Sequence, residues 1–305
     1  DSFVNTGYFD IVGQAFSDDE LTGSIVAGKA KVGIKIPPNY SDATALGRRA
    51  DVQVLIDGSD STVAMQALNV SNAIALRKSF AVIRQRLPGQ TQPVEFQPRV
   101  LFNPDMKTAN FMVPGLIGIV LQVVTMFLTA FAVVREKENG TLEQLMVTPV
   151  SRLGLMVGKL APYAFIGAFE VCMVVLLMRF LFQVPIAGSI LLLAGFSLLF
   201  LLTSLGLGLM ISTISANQVQ AMQIAFLVML PSVLLSGFMF PQESMPFPIY
   251  VIGQALPVTY FIRVLRGIIL RDAGFIELWP QAIGLIVIGG FLLTVSAGRF
   301  RKTLG

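Results

Sequence analysis

The stretch FMVPGLIGIVLQVVTMFLTAFAVV, Phe111 to Val134, contains no charged residue. It gives way at once to Arg135-Glu136-Lys137-Glu138-Asn139-Gly140-Thr141-Leu142-Glu143-Gln144-Leu145-Met146. A bilayer hydrocarbon core is about 30 Å thick and takes about 20 apolar helical residues to cross. In lipid, a helix satisfies its own backbone N–H and C=O groups within one segment. The first stretch is therefore read as a membrane span and the second as its polar exit. Four further stretches meet the same demand: Leu155–Phe182, Ser189–Thr213, Val219–Phe240 and Leu278–Ala297. The composition agrees, since 54% hydrophobic and 13% charged residues with a mean hydropathy of +0.73 over 305 residues lie outside the range of ordinary soluble domains.

A net charge of +4 and a pI near 9.3 raise the question of nucleic acid. The distribution of charge answers it. Arg135, Lys137, Arg152 and Lys159 surround the loop after the first span, and Arg299, Arg301 and Lys302 follow the last. No basic stripe interleaves with aromatics, so a nucleic-acid partner is not expected. Positive residues mark cytoplasmic loops, and five alternating spans place both clusters inside. Residues 183–188 and 241–277 then lie outside, 214–218 lie inside, and everything before Phe111 lies outside. Arg263, Arg266 and Arg271 in the outer loop run against this rule.

Residues 1–106 read as a small α/β domain, expected to be extracytoplasmic. Ser17-Asp18-Asp19-Glu20 is a capping box opening a helix through about Lys29. Residues 31–36 and 52–56 alternate as strands, residues 61–86 carry Val63, Ala67, Val70 and Ile74 at helical spacing, and residues 94–102 form a weaker strand broken by Pro98. No basic and apolar leader precedes Asp1 to export such a domain. A first helix missing from the chain is therefore expected, which makes six spans in all. The segment Gly23-Ser24-Ile25-Val26-Ala27-Gly28-Lys29-Ala30 comes within one residue of a phosphate-binding loop, but Ala30 stands where Ser or Thr must hold magnesium, and the segment lies in a helix. It is read as a surface helix.

In the charged loop, Thr141-Leu142-Glu143-Gln144 is a second capping box. Leu142, Leu145 and Met146 share a helical face, and Pro149 stops the helix. This short amphipathic helix rests either on lipid headgroups or on a partner protein. Its acidic residues Glu136, Glu138 and Glu143 disfavour an anionic leaflet. Within the spans, Glu170 lies eleven residues past Lys159, about 16 Å along a helix. A carboxylate at that depth costs roughly 2.5–3.5 kcal/mol on insertion scales. It either faces a translocation path, with Gln122 and Thr125 as further candidates, or hydrogen-bonds to Gln122 or Thr125. Ser204, Gly208 and Ser212 repeat every four residues, the spacing of close helix contact. Two apolar pieces too short to span, residues 247–256 and 258–270, flank Pro257 and read as a re-entrant or interfacial pair closing the outer mouth of a path.

These residues carry a resemblance. Asn103-Pro104-Asp105, the run Asn110 to Gly115, and Val134 through Pro149 resemble the type-2 permease family of ATP-binding-cassette (ABC) exporters. Leu256-Pro257-Val258-Thr259-Tyr260 and Arg266-Gly267 are similar to that family's region before its last helix, and Val54 to Asp60 to the extracytoplasmic domain of its bacterial members. The resemblance implies a multi-pass permease of the bacterial inner membrane. It pairs with a second permease, as homodimer or heterodimer, and with cytoplasmic ABC ATPase subunits. ATP and Mg would bind on those partners, and this chain would hold no cofactor. Arg135, Glu136, Glu138, Gly140, Thr141, Leu142, Glu143, Leu145 and Met146 would couple to the ATPase, and Pro257, Thr259, Tyr260 and Arg266 would form an outer gate. The fold class is thus an α-helical polytopic membrane protein, with a small α/β domain over 1–106 and a permease domain over 107–305. Its cargo would be amphiphilic, a drug or a lipid-like molecule.

Enzymatic readings lose their residues. The chain has no histidine, its single Cys172 lies within a span, and no aspartate lies in any span. Zinc-protease motifs, Ser-His chemistry and an intramembrane aspartyl pair are thereby excluded. A channel or mechanosensory receptor without ATP coupling is the alternative.

Overall fold

The computed structural model describes residues 9–45, 50–60, 63–74, 94–140 and 152–299. The chain divides into two compact units, Asp1–Phe111 and Met112–Gly305, with the boundary inside the first turns of a long helix.

In the first unit, helix α1 (Asp18–Val26) begins where the Ser17 hydroxyl accepts the Glu20 backbone N–H at 3.1 Å. The Glu20 carboxylate reaches back past the cap to the Phe16 N–H at 2.9 Å. The box is thus wider by one residue than the reciprocal pattern expected. α1 also stops three residues short of Lys29, because Gly28 adopts a φ of +70°, a conformation that ends helices at glycine. The near-match to a phosphate loop is therefore the last turn and terminus of a surface helix. Strand β1 (Val32–Lys35) pairs antiparallel with β2 (Ala50–Asp57), which pairs parallel with β3 (Val94–Leu101). Pro98 thus falls on an edge strand, where its missing N–H is tolerated. A short helix α2 (Tyr40–Ala45), unmarked by any periodicity, lies between β1 and β2.

Helix α3 occupies residues 63–74, and the remainder of the helix expected to residue 86 falls outside the described residues. Val54 and Ile56 of β2 pack on Ala64, Ala67 and Ile74 of α3 to form the core of this unit. At the end of β2 the buried Asp57 accepts the Ser59 N–H at 3.0 Å and pairs with Lys31 at 3.3 Å. Gly58 is required there, because a Cβ would collide with the Leu101 carbonyl. Asn103 then organises the way into α4: its side-chain Oδ1 accepts the Lys107 backbone N–H and the Asn110 side-chain amide at 3.1 and 3.0 Å. That network accounts for the asparagines at the two ends of this segment.

The second unit is helical. It comprises the rest of α4 (Thr108–Glu138), then α5 (Arg152–Phe180), α6 (Ile190–Ile214), α7 (Gln218–Leu235), α8 (Phe247–Gln254), α9 (Pro257–Arg271) and α10 (Phe275–Arg299). Among the described residues five helices are long and apolar enough to cross a membrane, and α8 with α9 form a pair bent by 83°. The protein is a multi-pass helical membrane protein.

α6 is the hub. A Cβ on Gly208 would lie 2.7 Å from the Met126 carbonyl oxygen and from Thr129 Cβ, one on Gly206 would press on Leu293, and Gly167 of α5 faces Leu201. Phe200 stacks on Phe261 of α9 with centroids 4.1 Å apart. Small residues let the backbones approach, as association inside lipid demands. Met126, Ala130 and Val134 of α4 pack with Leu207 and Ile211 of α6 and with Ala221 and Ala225 of α7. By contrast, α5 buries few of its residues fully and leaves apolar side chains such as Phe165, Phe169 and Leu176 exposed, as a helix facing lipid or another subunit does.

α7 ends at Leu235, five residues before the stretch read from hydropathy. The chain turns at Gly237 (φ +83°), and Arg266 donates to the Gly237 carbonyl at 3.1 Å. Arg266 and Arg271 are both buried. Two of the three arginines that opposed the charge rule are therefore folded into protein, and the third, Arg263, is half-buried and donates to Gln242.

Candidate functional site: the charged end of the first membrane helix

α4 stops at Glu138. The Asn139 N–H donates to the Arg135 carbonyl at 3.0 Å, and Gly140 takes a φ of +70°, a value that favours glycine. Of the residues read as the coupling element, Arg135, Glu136, Glu138 and Gly140 are described here. Thr141, Leu142, Glu143, Leu145 and Met146, with the short helix expected over them, lie outside the described residues.

Three consecutive side chains at this end reach three different helices. Glu136 forms an ion pair with Lys159 of α5. The Lys137 ammonium donates to the carbonyl of Ser215, the cap at the C-terminus of α6, at 3.0 Å. The Glu138 carboxylate accepts the backbone N–H of Gln218, first residue of α7, at 3.0 Å, and also the Gln218 side-chain amide. Helix C-termini attract cations and N-termini attract anions, so both caps have the favourable sign. Lys159 enters the sequence reading only as a positive residue bordering the loop, and Ser215 and Gln218 are not singled out there. A signal existed only for the last: Asn217, a good N-cap, precedes it, and its side chain accepts the Gln220 N–H at 2.8 Å.

The intramembrane candidates separate. Gln122 and Thr125 are buried inside the bundle, and the Gln122 amide donates to the Ser232 hydroxyl of α7 at 2.8 Å. Glu170 lies half-buried on α5, and its Oε2 has no hydrogen-bond partner among the described residues. Of the two readings of Glu170, a path residue or a bond to Gln122 or Thr125, the pairing with Gln122 is not seen, and Gln122 makes an α4–α7 bond instead. Ser232, one turn from the α7 terminus and inside an apolar run, is the partner that hydropathy concealed. Ser204 and Ser212 are buried on α6, and Ser212 donates to the Leu209 carbonyl at 2.6 Å.

At the opposite end, the four candidate gate residues all lie on α9, and Thr259 ties it across the elbow to α8. Pro257 is its buried first residue, and the Thr259 hydroxyl donates to the Gly253 carbonyl at 2.6 Å. Tyr260 packs on Gly284 of α10. Gln242 is the missed organiser: it donates to the Leu235 carbonyl at 3.0 Å and accepts from Gln254 at 3.3 Å and from Arg263. Among the described residues no group of His, Cys, Asp or Glu is arranged to hold a metal.

Residues 1–297 match the family described as "ABC-2 family transporter protein". The chain belongs to the ABC-2 transporter family. It is 35% identical over 285 residues to the probable multidrug ABC transporter permease YbhS of Escherichia coli K12, covering 92% of this chain and 73% of that protein. To the inner membrane transport permease YhhJ of the same organism it is 34% identical over 294 residues, 94% of this chain and 77% of the relative. To the probable multidrug permease YbhR it is 30% identical over 288 residues, with 94% and 77% coverage. The chain is thus an ABC permease, and the charged end of α4 is the polar exit of an ABC-2 permease helix.

Proposed function

We propose that this ABC-2 permease is the membrane subunit of an ATP-driven exporter of amphiphilic cargo, drug or lipid-like. In this reading it forms the path with a second permease and is powered by separate cytoplasmic ATPase subunits. They dock on the loop over 135–149, bind the ATP and Mg, and leave this chain without catalysis of its own. The α/β unit before α4 lies outside the cytoplasm. The carrying observation is the end of α4, where an uncharged span passes into a charged, glycine-stopped turn tied to α5, α6 and α7. A loop rooted in that way is a lever on the bundle. The exposed apolar surface of α5, with Glu170 in its middle, supplies a face for a second permease and for cargo that is partly apolar. The multidrug designations of YbhS and YbhR support the cargo class.

The test is recruitment. Affinity-tagged chain expressed with its genomic neighbours should co-purify with a P-loop ATPase and support ATP-dependent ethidium efflux. Replacement of residues 141–148 by a Gly-Ser linker of equal length should abolish both while membrane abundance stays near normal. Cargo flux that persists without ATP would instead make the chain a channel.

A further inference from the structure

The turn between α6 and α7 is held from every side, and the outermost grip comes from α4. Ser215 closes α6 with its N–H on the Ile211 carbonyl at 3.1 Å. The Ala216 N–H donates to Gln220 at 2.6 Å, and Asn217 caps α7. Of the groups left at the two helix ends, Lys137 takes the Ser215 carbonyl and Glu138 the Gln218 N–H. Both bonds are charge-assisted, the stronger class. Glu136, one residue earlier, joins α5 at Lys159, seven residues past the start of that helix. The loop over 139–151 therefore leaves α4 and enters α5 with its two legs tied across its base.

We propose that Glu136-Lys137-Glu138 is a three-way clamp that passes displacement of this loop to α5, α6 and α7 together. Glu138 is in it a positioning residue for the N-terminus of α7, within the loop on which the ATPase docks. Both oxygens of its carboxylate are engaged by Gln218, the backbone N–H by one and the side-chain amide by the other. α7 in turn carries Ser232, the hydrogen-bond partner of Gln122 deep in the bundle. The clamp thus reaches the buried polar interior through one helix. This inference rests on the reading that the loop receives an ATPase.

The test uses the full chain co-expressed with its ATPase, reconstituted in proteoliposomes with ethidium as the cargo probe. Glu138→Gln removes the charge from both bonds to Gln218, and Gln218→Glu places two carboxylates together. Each should cut ethidium-stimulated ATP hydrolysis by about fivefold or more, within the range of ordinary coupling energies. ATPase co-purification and membrane abundance should stay at wild-type level. The exchange Glu138→Gln with Gln218→Glu restores a donor opposite a carboxylate, and it should bring stimulation back to within about twofold of wild type. Glu136→Lys with Lys159→Glu should behave as a second such pair. Loss of ATPase co-purification in Glu138→Gln alone, or absence of rescue by the exchange, would overturn the clamp and leave the exporter reading intact. If the wild-type chain recruits no ATPase, that reading fails first and the clamp falls with it.

Discussion

Glu170 shows how much a single residue's meaning depends on its surroundings. Its depth is readable from spacing alone, but its partner is not, because several spans offer polar groups at the same height. In the structure Gln122 is engaged by Ser232, and Glu170 is left half-buried on a helix whose neighbours within the chain are few. Under the proposed function, a carboxylate so placed is available to cargo or to a second subunit. Glu170→Gln keeps shape and hydrogen bonding while removing the charge. It should change ethidium efflux or its pH dependence with little loss of thermal stability, since the cost of a charge in the bilayer is relieved. Glu170→Leu should impair efflux further. If Gln is silent and Leu merely lowers the melting temperature, the residue is a packing group. Gly208 lies at the other extreme: it is settled by geometry, because any side chain there would meet the backbone of α4 2.7 Å away.

At the level of elements, the bent pair α8–α9 is the least ordinary part of the bundle. Its 83° elbow puts a buried, arginine-bearing helix where the charge rule expects a water-exposed loop. Gln242 joins the end of α7, α8 and α9 through Leu235, Gln254 and Arg263. Net contributions of about 0.5–1.5 kcal/mol per hydrogen bond, with an arginine left partly unsatisfied, suggest that Gln242→Ala costs about 1–3 kcal/mol. Gln254→Ala breaks only one of these bonds and should cost less. Thermal unfolding in detergent, followed through the single Trp279, would measure the difference, and equal melting temperatures for Gln242→Ala and wild type would show that the elbow is held elsewhere. If the pair closes the outer mouth as proposed, Gln242→Ala should also leak ethidium in the absence of ATP.

At the scale of the molecule, sidedness is the claim on which the exporter reading turns. In a Cys172→Ser background, Ser41→Cys reports on an exposed position of the α/β unit and Asn139→Cys on the exposed turn after α4. An impermeant maleimide added to intact spheroplasts should label the first, and the second only after the membrane is opened. The reverse pattern would invert the topology and remove the loop from any cytoplasmic ATPase. The helical class, the five spans and the three strands followed from composition and periodicity, because crossing lipid and covering one face of a sheet are demands that each segment meets within itself. α2 escaped because six residues carry no period to read. The end of α7 was misplaced because hydropathy does not register a glycine turn whose carbonyl an arginine satisfies from 29 residues away. The charges of Glu136, Lys137 and Glu138 were visible in the sequence as a polar exit from the membrane. Only the tertiary structure decided that they grip Lys159, Ser215 and Gln218, since such pairings depend on which helix ends meet in space, and nothing in the spacing along one helix encodes its neighbours.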